Sequence, residues 1–483
     1  MPINSFLYPA PSTPSFAYDV ANSVRLNAGD NPSGTVTQGT PTNVDKYTFS
    51  VWVKRADLGA GNSKIFSVTS GSTYGEEKLE FNNDDLIWRQ TEPSEGNTNW
   101  ERVTDRKFRD PSAWLHIVVA YDSSQGTAGD RCKMYINGVQ ETSFSGSSNP
   151  SSGQDSYTNT SGRALKFFAL YQNTSSQNAG AYFAEMVYID GQQLDPTSFG
   201  EFDSDSPNIW KPIDVSGLTF GNNGFYLDFE DSSALGNDVS GNNNDVTFSN
   251  IASTDQSTDT CTNNFATINA LQAWYPTSTS PVLSEGNLKI RTGKGSSSSN
   301  GYFYYVSSIG FNTGKWYFEV KPTETTGNCL IGIVGRQPIS NAQLAEMADG
   351  YSYRKDGTKR NNGSSASYGA TYDSNDIIGV AVDLDNNKIY FSKNGTFQDS
   401  GDPTSGSTGT GSAYSLGTPS QGFYFPTVAS TDYAEHSTFE LNFGSAPYSI
   451  SSGNSDANGY GNFEYSVPSG YYSINTKNLA EFG

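Results

Sequence analysis

The chain has 483 residues and a formal net charge of −21, from 29 basic and 50 acidic side chains. A phosphate backbone is bound through a basic stripe, and none is visible, so nucleic acid is not an expected partner. Hydrophobic residues are only 34% of the chain while aromatics reach 13%, so tyrosine and phenylalanine must carry much of any core.

Forty-nine glycines and long Ser/Thr/Asn stretches fit short strands joined by loops, in a chain long enough for two or three domains. Cys132, Cys261 and Cys329 are far apart with no CxxC pair, which argues against a disulfide framework or a structural zinc site. With His116 and His436 as the two histidines, a serine–histidine triad or histidine metal site is not expected. Met1–Asp19 lacks the basic and apolar regions of a secretory leader. No stretch approaches the apolar length that spans a bilayer, so membrane insertion is not expected.

Residues 1–20 hold four prolines among Phe6, Leu7, Tyr8, Phe16 and Tyr18. Proline this dense prevents a helix or central strand, and five large apolar groups exceed what a solvated tail needs. The segment reads as an extended arm that docks on a partner through Phe6, Tyr8 and Phe16. A first β series follows over residues 21–249. Its clearest strand is Tyr47–Arg55, with Tyr47, Phe49, Val51 and Val53 facing inward and Thr48, Ser50, Trp52 and Lys54 outward. Ile65–Val68, Lys78–Phe81, Asp85–Arg89, His116–Tyr121, Phe167–Tyr171 and Tyr182–Ile189 read as further strands. Asp195-Pro196 opens a helical turn with Phe199 and Phe202 as its apolar residues, and Phe225–Phe229 completes the first sheet pair. Residues 250–282 are low in pattern and are read as a linker.

A second series occupies 283–483. Its centre is Asp376–Gly395, where Ile378, Val380, Val382 and Leu384 share one face, Asp385-Asn386-Asn387 turns, and Lys393-Asn394-Gly395 turns again. The first series has the same grammar in His116–Tyr121, Lys133–Ile136 and Asn137-Gly138. The spacing predicts one helix, Ser340–Ala348, with Ser340 and Gln343 as a capping box over Leu344 and Met347. Tyr471–Asn478 adds a closing strand. Strands at this spacing with almost no helix define an all-β chain of two-sheet sandwiches.

Four constellations carry candidate chemistry. Asp228/Glu230 and Asp383/Asp385 each share a strand face, as the carboxylates of glycan-cleaving enzymes do, but the second pair runs into a turn, so catalysis is not expected. Asp238, Ser240, Asn242, Asn244 and Asp245 surround Gly241 with oxygens that suit calcium, but with only two carboxylates among them a solvated Asx-rich turn needs nothing more than turn chemistry. Lys355, Lys359 and Arg360 lie between Tyr351, Tyr353, Tyr368 and Tyr372, in the stretch Gly335–Asn375. Rings of this kind either stack on a ligand or cover the core. His116 sits in an apolar strand and reads as a hydrogen-bonded structural residue.

Lys315-Trp-Tyr-Phe-Glu-Val, the Asp376–Gly395 hairpins and Leu441-Asn-Phe-Gly444 resemble a SPRY domain. Tyr47–Arg55, Trp114–Tyr121 and Met134-Tyr-Ile-Asn-Gly138 resemble the laminin-G and pentraxin-like branch of the concanavalin A-like sandwiches. Their pairing, with connecting words such as Phe108-Arg-Asp-Pro-Ser-Ala-Trp114 and Leu194-Asp-Pro-Thr-Ser-Phe-Gly-Glu-Phe202, resembles phage and prophage tail-fibre-type proteins. The resemblance implies two concanavalin A-like jelly-roll β-sandwiches in tandem behind a short N-terminal arm. It further implies a homo-oligomeric virion surface protein that binds a host surface glycan or protein and docks on other virion proteins through the arm. A structural decoration subunit and a glycan depolymerase are the alternatives. In SPRY-like sandwiches loops at one sheet edge form the binding surface, which points to Gly335–Asn375.

Overall fold

The computed structural model describes residues 18–59, 61–71, 75–94, 96–170, 177–271, 280–294, 303–336, 344–430 and 435–483. Within them the chain forms two antiparallel two-sheet sandwiches. Phe6, Tyr8 and Phe16, the expected docking residues, lie outside the described residues.

In the first sandwich one sheet runs Val139–Gln140, Cys132–Ile136, Trp114–Asp122, Lys46–Arg55, Ala181–Asp190, Ser23–Leu26, Gln256–Ser257, with Phe225–Leu227 also on Ala181–Asp190. The facing sheet runs Phe144–Ser148, Thr98–Thr104, Asp85–Thr91, Glu76–Asn82, Ser63–Thr69, Ala164–Phe167, Ser33–Thr37, Thr247–Ser249. Alternation along Lys46–Arg55 sends Tyr47, Phe49, Val51 and Val53 into the space between the sheets, all fully buried, as the period of two requires. The other face departs from expectation. Thr48, Ser50, Trp52 and Lys54 are buried too, because chain that follows the sandwich folds back as a third layer. Phe199, Val215, Phe220 and Tyr226 cover Val118, Ala120, Val187 and Ile189, while Trp210 joins Trp52, Trp114 and Tyr182. His116 lies in that layer, as a structural histidine should. Its Nδ1 accepts from Trp210 Nε1 at 2.9 Å, its Nε2 faces Ser50 Oγ at 2.8 Å, and its ring stacks on Trp52 at 4.7 Å. Burial pushes its pKa down to about 3, so the ring stays neutral. The turn at Pro196–Ser198 buries Phe199, but Phe202 stays 45% exposed.

The stretch 250–282 is not a patternless linker where it is described. Gln256–Ser257 extends the first sheet, and Ala266 and Ile268 enter the second core. Between them Asp259 is buried against Lys54, Oδ2 to Nζ at 2.7 Å, and accepts Trp114 Nε1 at 3.1 Å. Lys54 Nζ also donates to Asn264 Oδ1 at 2.6 Å. Two carboxylate oxygens and one ammonium, all out of water, fix the path between the sandwiches.

The second sandwich centres on Lys315–Glu324, flanked by Thr438–Asn442 and Ile378–Asp383. The expected hairpin forms with Val382 opposite Ile389, and Ile378, Val380 and Val382 face the core. Asn387, Asn394 and Gly395 take the positive φ angles that these turns demand. Its outer face is also covered: Phe463 and Tyr471 lie over Tyr317, Ala381 and Tyr390. The expected closing strand at Tyr471–Asn478 is replaced by two isolated bridges, Trp316 to Tyr472 (parallel) and Phe265 to Asn475 (antiparallel), and an α-helix at Thr476–Phe482. The Asn475 side chain caps that helix by accepting Asn478 N, a signal the strand reading passed over. Of the expected helix, Ser340 and Gln343 lie outside the described residues; Leu344–Glu346 is a 3-10 turn that buries Leu344.

Candidate functional site

The Gly335–Asn375 stretch is not an open loop. Its later part forms Gly350–Arg354, Thr358–Asn361 and Ser364–Ser367, which extend the second sheet. Tyr351 and Tyr353 alternate on the inward face of the first of these, and all four tyrosines belong to the core. Tyr353 is fully buried, its ring 5.7 Å from Tyr368, 5.3 Å from Tyr372 and 5.6 Å from Phe391. Tyr372 donates to the carbonyls of Cys329 and Tyr353 at 3.1 and 3.2 Å. The cations are tied back in the same way. Lys359 donates to Ala413 O at 2.7 Å between the rings of Tyr368 and Tyr414, Lys355 donates to Thr325 O, and Arg360 is half-buried. The expected binding set Tyr351, Tyr353, Lys355, Lys359, Arg360, Tyr368 and Tyr372 is therefore corrected to a packed sheet edge, because strand alternation turns Tyr351 and Tyr353 inward and Tyr368 and Tyr372 pack on the Tyr353 ring.

The calcium reading of Asp238, Asn242, Asn244 and Asp245 is corrected as well. Asp238 already accepts four protein donors, Tyr226 N, Ser240 N, Ser240 Oγ and Asn244 N, each at 2.9 Å. Asp245 accepts Asp238 N at 2.9 Å, and the amides of Asn242 and Asn244 both donate to Gly224 O. Lone pairs spent on N–H groups are not offered to a cation, so this is an Asx-rich turn that supports the Phe225–Leu227 strand. The carboxylate pairs are likewise spent locally. Asp228 accepts Glu230 N; Asp383 accepts Asn386 and pairs with Lys315 at 3.2 Å.

Sequence reasoning did not single out Glu185. It sits at a β-bulge with φ of 49°, is 5% exposed, and accepts Tyr226 Oη at 2.7 Å and Tyr18 Oη at 3.1 Å. Burial, against the pull of the two phenols, pushes its pKa up to about 7.

An open concavity lies where the two sandwiches meet, a groove of about 730 Å³. Its first wall is the turn Arg106–Ser112. Phe108 plugs this turn into the core, 5% exposed, with its N–H donating to Asp84 O at 2.9 Å and its ring 5.6 Å from Phe81. Around that plug the neighbouring side chains must point out, which places Arg106, Lys107 and Arg109 on the rim. Arg109 Nε pairs with Asp84 at 3.0 Å and Arg106 Nε with Glu141 at 3.0 Å; the two side chains remain 63% and 54% exposed. Burial works to raise the Asp84 carboxyl, but Gly59 N–H, Arg109 and Arg55 together hold it below the usual carboxylate range. The floor is Leu115 and Ile136 from the first sandwich, with Asn269, Leu271 and Ser308 from the second. Asn264 Nδ2 to Ser112 O at 2.6 Å ties the two walls together. The turn was legible as a turn; three basic residues in four positions of so acidic a chain were the signal that it is also a rim.

Comparison with known proteins finds two recognised units in the chain. Residues 28–171 match the model of the concanavalin A-like lectin/glucanases superfamily, and residues 315–444 match that of the SPRY domain. The protein therefore carries a concanavalin A-like domain followed by a SPRY domain. An ATP-dependent RNA helicase, Ddx1 of Drosophila melanogaster, is 35% identical over 82 residues, which is 17% of this chain and 11% of the helicase. Among solved structures, the SPRY domain of human HERC1 aligns with a TM-score of 0.26 at 17% identity, over 34% of this chain and 92% of that one. A heptameric SAP-like pentraxin from Limulus polyphemus aligns at 0.28 and 15% identity, over 37% and 80%.

Proposed function

We propose that the protein is a bacteriophage virion surface protein of the tail-fibre type, which adheres to the host surface by binding rather than by catalysis. Both recognised units support a role in binding or adhesion. The order of the connecting words along the chain is what brings the phage reading. The observation that carries it here is the groove between the sandwiches, where an apolar floor meets arginines held in place at one end and open at the other. Concave sites at domain junctions are common places for ligands, and the ordered path through Asp259 keeps this one assembled. Residues 1–20 dock the protein on other virion components through Phe6, Tyr8 and Phe16, and the working form is a homo-oligomer.

The test uses labelled full-length protein and cells of a panel of bacterial strains. Saturable adsorption to a subset of strains, reduced at least tenfold in the Arg106→Gln/Arg109→Gln variant, is the expected result. A folded protein that adsorbs to no strain, and is present in purified particles at hundreds of copies, overturns adhesion in favour of the decoration reading.

A further inference from the structure

The chemistry of the groove restricts its ligand, on the basis that the adhesion reading above is right about where binding occurs. Four polar side chains facing it, Arg106, Arg109, Asn137 and Asn269, are pinned at one end and free at the other, whereas the Lys107 ammonium is paired with Asp85 and the Ser112 hydroxyl donates to Asp110. Arg106 and Arg109 are held through Nε, by Glu141 and Asp84, and among the described residues no hydrogen bond reaches their Nη atoms. The Arg106 guanidinium also lies 6.0 Å from the Phe108 ring, which further limits its freedom. Asn137 Oδ1 accepts His116 N at 2.7 Å and Asn269 Oδ1 accepts Leu271 N at 2.9 Å, and among the described residues neither amide Nδ2 has a partner. The free groups are thus donors, already oriented, and they call for a ligand made of acceptors. A guanidinium fork takes a carboxylate with two parallel bonds, and an asparagine amide takes a carbonyl oxygen. Asp110 is the exception. Ser112 N and Oγ occupy its Oδ1, and its other oxygen is left to receive a backbone N–H.

Three classes of ligand can be separated on these grounds. A polyphosphate carries charge too densely for a wall that holds Asp110 and whose cations are already paired with Asp84, Asp85 and Glu141 from behind. A sugar asks for an open aromatic face and for acceptors that match its hydroxyl donors; the aromatic in the lining, Phe108, is buried. An extended peptide offers carbonyls, isolated carboxylates and an apolar side chain. Leu271 is 58% exposed in the floor, above a base of Ile136 and half-buried Leu115, and supplies the matching apolar contact. We infer that the groove binds an acidic peptide segment of a surface protein, with carboxylates on Arg106 and Arg109 and an aliphatic or aromatic side chain on Leu271.

Selection of a displayed library of random decapeptides against the full chain tests this, with a uronic acid hexasaccharide titrated in parallel. Enriched peptides are expected to carry carboxylates flanking an apolar residue. They should lose at least tenfold in affinity for Arg106→Gln/Arg109→Gln and several-fold for Leu271→Ser, while both variants melt like the parent. Peptides without acids, or equal enrichment on the double variant, overturn the inference. Binding of the hexasaccharide at the groove in place of peptides assigns it to an acidic glycan instead. Cell adsorption without peptide binding sinks the peptide inference and spares the adhesion reading; peptide binding without adsorption to any strain does the reverse.

Discussion

Two stretches of this chain combine cations with aromatic rings, and the fold treats them in opposite ways. Between Tyr351 and Tyr372 the rings turn inward and the lysines are spent on backbone carbonyls. Between Arg106 and Ser112 a single ring is sacrificed to the core, and that plug forces its neighbours outward with their Nη groups unspent. Composition is alike in the two places. What differs is whether a strand continues through the segment: a paired strand must bury every second side chain, whereas a turn that buries one residue exposes those on either side.

The sharpest way to break this comparison is Tyr353→Ala. If the rings are core, the variant leaves a cavity under Phe391 and loses about 3–5 kcal/mol. Calorimetry should show the second sandwich melting earlier while the first keeps its transition. Weakened adsorption with unchanged melting would instead mean that these rings form a surface.

Next in size is Asp259→Ala, which asks whether the groove depends on the ordered path between the sandwiches. Lys54 would then be buried without its counter-ion, a loss of about 3 kcal/mol. The first domain should unfold at lower denaturant, and ligand affinity should fall although no groove residue has been touched. Full retention of both would show that the pair contributes nothing to assembly.

A matched pair of charge variants follows. Replacing Lys355, Lys359 and Arg360 together by serine should cost about 1 kcal/mol, through the lost cation–ring and carbonyl contacts of Lys359, and leave adsorption unchanged. Replacing Arg106 and Arg109 by glutamine should do the reverse, with stability within about 0.5 kcal/mol of the parent and binding lost. The opposite pattern in melting and adsorption would return the site to the second sandwich.

The smallest effect is one of pH, and it concerns an acid that the fold buries without a cation. The folded pKa of Glu185, about 7, lies above its ordinary value of 4.5, so the folded state holds its proton longer than the unfolded chain does. Its contribution is present in full below pH 4.5 and is lost as pH rises through 7. Tyr18, Tyr226, Asp228, Glu230 and Cys261 are the titratable groups that share its surroundings. His116, whose pKa is depressed, acts in the opposite sense over pH 3–6.5, so the reading must be taken as a difference. The melting temperature of the parent relative to Glu185→Gln should fall between pH 5 and 8, by a few degrees. A flat difference would show that this carboxyl reaches water.

The sequence alone carried the architecture far. Period-two alternation put Tyr47, Phe49, Val51 and Val53, and likewise Ile378, Val380 and Val382, on their core faces, and Asn-Gly chemistry marked the turns that set register. These are local facts: a strand has two faces, and a left-handed turn needs residues that tolerate it. What lies over the second face is not local. Trp52 and Lys54 read as exposed because nothing nearby in sequence covers them; Trp210 and Asp259, more than 150 residues on, do so. The Asn475 cap was local and readable, yet a short apolar run could serve strand or helix, and only its packing beside Trp316 decided. The groove required both sandwiches at once. Arg106 and Arg109 are set by a turn in the first, but Asn269, Leu271 and Ser308 reach it from the second, and no periodicity in either stretch encodes their meeting. Proximity between distant segments is chosen by the burial of whole faces, which is a property of the assembled chain and of no window within it.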